Sequence, residues 1–420
     1  MSAWRFVAAF GAVSLLMDFV YEGARSVTGP LLARLGASAL VVGVVTGAGE
    51  AAALGLRLVS GPLADRTRRF WAWTVAGYAL TVATVPFLGL AGTLWVACAL
   101  VVAERVAKAV RSPAKDTLLS HATAATGRGR GFAVHEAMDQ VGALIGPLTV
   151  AGVLAATGDD YAPALGVLAA PGVAALALLV RLRAKVPDPA AYEASRTPGT
   201  PETPGTPETP RAPEARPPDA PPGTGGGSAG SGAPRGARPR LPRAFWVYAA
   251  FSGVTTAGFA TFGVLSFHLV RRHLVPIALV PVVYAAAMAA DALAALVTGW
   301  FYDRAGARAM AALPVLAAAA PALAFTDTVA LAVLGALVWG AAVGIQESTL
   351  RAVVADLVPA GRRATAYGIV AGVLGAGSLA GGALTGALYD YSVPVLVTAV
   401  AAIQAAALVL LVTAHGGPRA

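Results

Sequence analysis

The chain has 420 residues, of which 57% are hydrophobic and only 13% charged. So few charges over that length exclude a soluble globular protein, whose wetted surface needs about a quarter of its residues charged. The formal net charge of +9 reads as Arg gathered in loops beside a membrane, not as a nucleic-acid-binding surface.

The apolar residues fall in blocks of roughly 20, about what crosses a ~30 Å hydrocarbon core. With no water there, each block must satisfy its own backbone as a helix. Twelve blocks begin near Trp4, Ala39, Trp71, Leu94, Phe132, Ala162, Phe245, Pro276, Ala309, Val329, Ala364 and Val393. The first is long and carries Asp18 and Glu22, so it reads as a span and not as a cleavable signal. Asp18, Glu22 and Arg25 lie four and three apart, on one face towards its outer end.

In the second block Glu50 and Arg57 are seven apart, two turns along one face. That block closes on Gly61-Pro62-Leu63-Ala64-Asp65-Arg66, and the eighth closes on Gly299-Trp300-Phe301-Tyr302-Asp303-Arg304. The fourth block carries Glu104, Lys108 and Arg111 as a stripe with Arg105 beside it; the fifth carries His135 and Asp139 four apart. Residues 187–243 are Pro-, Gly- and Ser-rich and cannot form a packed core, so they read as a linker between halves 1–186 and 244–420. The second half is sparser in charge, with His268, Asp291, Gln346 and Glu347, the last four residues before Arg351.

Basic clusters follow the even-numbered blocks, for example Arg66/Arg68/Arg69, Arg181/Arg183/Lys185 and Arg362/Arg363, which places both termini on the cytoplasmic side. Arg25 and Arg34 after the first block, and Arg271-Arg272-His273 after the seventh, dissent. The halves align: Arg111 and Asp116 match Arg351 and Asp356 in spacing, and Arg128 before Phe132 matches Arg363 before Tyr367. Parallel repeats of this kind build one class of transporters.

Blocks three, six, nine and twelve hold no internal ionisable residue, whereas one, two, four, five, eight and ten do. A charge inside the bilayer costs at least ~2.5–3.5 kcal/mol, so these residues should face a wet cavity or one another. Glu104/Lys108 and Glu347/Arg351 also read as intrahelical pairs, and His135 as an interfacial histidine. Glu50 and Asp291 have no opposite charge within one turn, which makes them the preferred coupling candidates. The single cysteine, Cys98, rules out an intrachain disulfide. There is no Walker-type loop, nucleophile elbow or His/Cys set with ligand spacing, and Glu136 points away from His135 and Asp139. No catalytic residue, metal site or cofactor is therefore expected.

These features resemble the major facilitator superfamily over nearly the whole chain outside the linker. Gly61 to Arg69 is similar to its loop 2–3 signature and 299–304 to the weaker copy in loop 8–9. Glu104-Arg105, Arg111 to Asp116, Gly129 to Phe132 and His135 to Asp139 resemble a bacterial drug-resistance-type branch. The resemblance implies two six-helix bundles rocking about a central cavity, with every third helix facing lipid. It implies an inner-side gate at Gly61, Asp65 and Arg66, echoed by Asp303 and Arg304, and a coupling role for Arg105. Lys108 and Ala109 stand where the span-four motif often has Gln and Gly. Gly142 to Pro147 resembles the antiporter signature without its trailing Gly pair.

The expected fold is an all-α integral membrane protein of twelve transmembrane helices. The expected function is secondary active transport across the bacterial inner membrane, as proton-coupled efflux of small cationic or amphipathic molecules. Proton or substrate sites are expected among Asp18, Glu22, Glu50, Glu104, Arg105, His135, Asp139, Asp291 and Glu347. The expected partners are a small-molecule substrate, protons and lipid, with a monomer sufficient and no nucleic acid. A proton-coupled importer and a non-transporting sensor docking through the linker stay open.

Overall fold

The structure, a computed structural model, describes residues 1–194, 241–305, 310–359 and 362–415. Most of the expected linker, at 195–240, lies outside the described residues, as do the side chains of Arg128, Asp303 and Arg351. Among the described residues all regular structure is helical. The first half contains α1 (Ala3–Arg34), α2 (Ala39–Gly55), α3 (Arg57–Thr67), α4 (Phe70–Leu88), α5 (Leu94–Thr126), α6 (Arg128–Thr157), α7 (Tyr161–Gly166), α8 (Ala169–Lys185) and α9 (Ala191–Ala194). The second contains α10 (Arg243–Ala257), α11 (Phe262–Arg271), a 3-10 turn at Ile277–Leu279, α12 (Val280–Ala305), α13 (Ala312–Ala324), α14 (Val329–Leu357), α15 (Arg363–Tyr391) and α16 (Val393–His415).

Ten stretches among the described residues are long and apolar enough to cross a membrane. α2 with α3, α7 with α8 and α10 with α11 each count as one stretch. Two of the twelve expected blocks fall outside this set for separate reasons. α5 has 33 residues but carries Glu104, Arg105, Lys108 and Arg111 in its middle. α13 is apolar but only 13 residues long, roughly 20 Å at ~1.5 Å per residue.

α1 corrects one expectation about position. It runs 32 residues, so Asp18, Glu22 and Arg25 sit near its middle and not towards one end. Arg25 therefore belongs to the helix interior and does not count as a loop residue. The other dissenting arginines are held locally. Arg34 donates to the Asp159 carbonyl at 3.1 Å, and Arg272 makes a two-pronged bond to Asp327 at 2.8 and 2.9 Å.

The two halves meet tightly at the end that carries the α1–α2 turn. Gly43 of α2 and Gly382 of α15 face each other's carbonyls so closely that a Cβ on either would collide with backbone. At a second crossing, a Cβ on Gly29 of α1 would collide with the Gly263 carbonyl of α11, and one on Gly263 with the Thr46 side chain of α2. In a bilayer, where lipid is as apolar as Leu, small residues that admit close backbone packing are what hold helices together. Asp390 of α15 accepts hydrogen bonds from the Ala39 and Leu40 amides at 3.2 and 3.0 Å, capping α2 from the other half. A carboxylate at a helix N-terminus also meets the positive end of the dipole. One buried core crosses both halves here, with Val27, Leu31 and Val42 packed with Val264, Phe267 and Leu396.

Between α10 and α11 the helix breaks at 258–261, and its freed backbone groups are met by side chains. Trp339 Nε1 donates to the Ala260 carbonyl at 2.8 Å and Gln404 Nε2 to the Thr255 carbonyl at 2.9 Å. Thr261 caps α11 by accepting from Val264 N at 3.4 Å. A break at membrane depth persists only where the protein supplies partners in this way.

Candidate functional site

α1, α2 and α5 pack side by side, and the charged residues expected on each prove to be one another's partners. Glu22 lies 3.7 Å from Arg25, Arg25 3.1 Å from Glu50, Glu50 3.0 Å from Arg105, and Arg105 3.4 Å from Glu104. Three carboxylates and two guanidiniums thus alternate along a line joining three helices. Removing one member of such a buried set leaves an opposite charge uncompensated, which costs about 3–5 kcal/mol where burial is complete.

Two sequence expectations are corrected here. Glu50 is not unpaired, since Arg25 and Arg105 reach it from neighbouring helices, whereas Arg57 on its own stretch is separated from it by a turn at Leu56. Glu104 and Lys108 form no direct ion pair among the described residues. Glu104 pairs with Arg105, and the Lys108 ammonium sits 4.0 Å from the centre of the Tyr21 ring. Arg105 lies 4.6 Å over the same ring and Arg111 4.8 Å over Tyr78. Aromatic faces stabilise cations where no carboxylate is at hand.

A cleft of about 20 Å³ opens beside this line, bounded by Tyr21, Arg25, Thr28, Thr84, Glu104 and Arg105. That volume is about what one water molecule requires. Glu104 is 8% exposed, and its Oε1 has no hydrogen-bond partner among the described residues.

A second cluster lies between α1, α5 and α6. His135 is buried within the protein, with its Nε2 2.8 Å from Ser14 Oγ and its Nδ1 3.4 Å from Asp139. Lys115 approaches the same carboxylate at 3.8 Å. Asp18 sits one turn from Glu22 on α1, half-buried. Glu136 is exposed, as its helical position implies.

The second half contributes fewer groups. Asp291 of α12 is buried against Gly344 of α14 and takes no ion-pair partner among the described residues. Glu347 is exposed; its expected pairing with Arg351 rests on a side chain outside the described residues. Gln346 Nε2 donates to Thr256 Oγ1 at 3.0 Å, beside the helix break. Tyr284 of α12 crosses to the first half and donates its hydroxyl to Glu22.

Of the gate expected from the loop signature, Asp65 and Arg66 are exposed at the end of α3, and Gly61 faces the Pro113 ring. Neither Asp65 nor Arg66 has an ion-pair partner among the described residues. Arg304 stacks 3.5 Å from the centre of the Trp300 ring, while the side chain of Asp303 lies outside the described residues.

The cross-helix partners Tyr284, Lys115, Tyr21 and Ser14 were missed by the sequence reading. Only Lys115 gave a signal, as a basic residue near the end of an apolar block.

Comparison with known proteins bears on this arrangement. The family model described as Major Facilitator Superfamily matches residues 10–325 and 272–419. The chain belongs to the Major Facilitator Superfamily. An uncharacterized protein of Mycobacterium bovis is 62% identical over 413 residues, covering 98% of this chain and 93% of the relative. An uncharacterized MFS-type transporter of Methanocaldococcus jannaschii is 28% identical over 140 residues, 33% of this chain and 35% of that one.

Among solved structures, a mutant form of the nucleoside transporter NupG superposes with a TM-score of 0.73 at 12% identity, covering 97% of this chain and 99% of that one. The peptide transporter POT in complex with sulfate gives 0.70 at 15% identity, covering 98% and 94%. A bacterial homolog of the human lysosomal transporter Spinster, inward-facing and unoccupied, gives 0.65 at 14% identity, covering 98% and 95%. At such identities these likenesses establish the fold. The superfamily membership makes the chain a multi-pass membrane transporter working by alternating access, and its substrate a small molecule.

Proposed function

We propose that this transporter is proton-coupled and that the alternating line from Glu22 to Glu104 is its coupling site. Three carboxylates face two guanidiniums within the bilayer. The line itself has one carboxylate more than it has guanidiniums, and Lys108 over the Tyr21 ring stands beside it as a third cation. A proton or a cationic substrate taken up at one of the carboxylates can displace a resident cation in exchange, and this alternation of acids and bases carries the reading. Asp18 and Asp139 extend the acidic face towards the second cluster, and Asp291 adds a buried carboxylate on the opposite half.

The direction proposed is efflux by antiport of small cationic or amphipathic molecules, with the chain in the drug-resistance-type branch and the bacterial inner membrane. The resemblance of Arg105 and of Gly142 to Pro147 to antiporter motifs supports it. α5 and α13 complete twelve spans in two bundles, residues 187–243 link them, and both termini are cytoplasmic. The halves are closed at the α1–α2 end, which this orientation makes the outer one. Asp65 and Arg66, without an ion-pair partner among the described residues, would then close the inner end in the opposite state. Uptake is the second reading, favoured by the likeness to nucleoside and peptide transporters.

Glu50→Gln tests the coupling. Proteoliposomes bearing that variant are expected to lose substrate-evoked proton movement although the protein still inserts. Wild-type proton movement in the variant would remove the line from the mechanism. The sign of substrate movement in inverted vesicles separates efflux from uptake.

A further inference from the structure

We infer that Tyr284 is the positioning residue through which the charge on Glu22 holds the α1–α2 end of the transporter shut. Tyr284 is fully buried on α12 and its ring packs at 4.5 Å against Phe262 of α11, within the second half. Its hydroxyl leaves that half and donates to the Glu22 carboxylate on α1. The bond lies at the head of the charged line and one helical turn from the start of α12 at Val280. It therefore sits on the same side as the Gly29–Gly263 and Gly43–Gly382 crossings.

An ionised carboxylate accepts a hydrogen bond roughly twice as strong as a neutral acceptor does. Ionised Glu22 thus draws Tyr284, and with it the second half, onto α1. A Glu22 that has taken a proton, or turned to a cationic substrate, holds Tyr284 less tightly and lets that end part. By reciprocity, parting the halves changes how Glu22 holds its proton. Most charged groups around Glu22 lie within the first half: Asp18 and Arg25 on α1, Glu50 on α2, and Glu104, Arg105 and Lys108 on α5. Those groups travel with Glu22 when the halves separate, whereas Tyr284 does not. The second half brings two acids to this cluster, Asp291 of α12 and Glu347 of α14. Both repel an ionised Glu22 and attract Arg25, so they act on the line through its cation, whereas the pull on Glu22 itself comes from Tyr284. The inference rests on the proposed proton coupling only for where the proton comes from; the contact itself belongs to alternating access.

The test uses the full-length protein with Cys98→Ser and a reporter Thr46→Cys. Thr46 is half-buried, with Oγ1 2.9 Å from Thr261 Oγ1 in the closed end, so a maleimide reaches the thiol faster when that end opens. Tyr284→Phe keeps the ring and removes the hydroxyl. It is expected to raise the labelling rate by about tenfold or more, the scale of a lost hydrogen bond to a charged group. The rate, corrected for the thiol's own titration, should rise as pH falls in the parent and be flat with pH in Tyr284→Phe. Glu22→Gln should be equally flat and, combined with Tyr284→Phe, add nothing further. Additive effects, or parent-like labelling in Tyr284→Phe at every pH, would overturn the inference. Should Tyr284→Phe not fold, parent-like pH dependence in Glu22→Gln would do the same. No substrate or proton gradient is present, so loss of proton flux elsewhere leaves this result standing.

Discussion

The cations of the first-half cluster each have a distinct local solution. Arg105 is held by Glu50 and Glu104 and by the Tyr21 ring, Arg25 by two acids, and Lys108 by the aromatic face of Tyr21. If Glu50 and Arg105 stabilise each other, Glu50→Gln and Arg105→Gln should each lower the melting temperature. The double variant should then recover part of that loss, because neither charge is left without its partner. A double variant showing the full sum of the two losses would mean that the 3.0 Å contact contributes nothing.

The residue types and their place inside apolar blocks were legible from the sequence, since Asp18, Glu22, Glu50, Glu104 and Arg105 stand out there, although the depth of Asp18 and Glu22 along α1 was not. Their pairing was not. Helical spacing reveals neighbours three or four apart on one helix, and so it suggested Glu104 with Lys108 and left Glu50 alone. The contacts that form join residues 25, 50 and 105, which only the packing of three helices brings together.

At the scale of elements, the apolar pattern located helix starts closely. Starts expected at Trp4, Ala39, Trp71, Leu94, Val329 and Val393 fall within one residue of those at Ala3, Ala39, Phe70, Leu94, Val329 and Val393. The break between α10 and α11 was not legible, because its partners Trp339 and Gln404 lie on α14 and α16. Gln404→Leu removes the side-chain donor to the Thr255 carbonyl, which keeps only the Gly258 amide, and should destabilise the protein by about 1 kcal/mol, read as a fall in melting temperature.

The close crossing of α2 and α15 makes a sharper claim. Gly382→Val puts a branched side chain against the Gly43 carbonyl, so the α1–α2 end should no longer close. Labelling of Thr46→Cys should then be fast at every pH. Slow labelling would mean that the helices can slide to admit the side chain and that the crossing does not define the closed state.

For the whole molecule, two of the charge-free blocks are the most exposed, whereas the third block, Phe70–Leu88, is as buried as the charged Ala3–Arg34, each at 44%. The stretches Tyr161–Lys185 and Val393–Val412 are the least covered of the ten, with 33% and 28% of their apolar windows buried. These are the sixth and twelfth expected blocks, which hold no internal charge. A helix facing lipid must be apolar all round, whereas one facing another helix or a cavity need not be. Residues 195–240 should act as a tether. Replacing them with a Gly/Ser segment of equal length should leave transport intact, measured as substrate uptake into vesicles. Loss of transport would instead favour a docking role for that segment.

The central claim is that charge on the Glu22–Glu104 line is exchanged between protons and substrate as the two halves rock. Proton flux in proteoliposomes, read with an enclosed pH-sensitive dye across a panel of cationic compounds and metabolites, tests it most directly. The expected result is substrate-evoked proton movement in the wild type that vanishes in Glu50→Gln. Substrate transport with no accompanying proton movement, or coupled flux undiminished in Glu50→Gln, would contradict it.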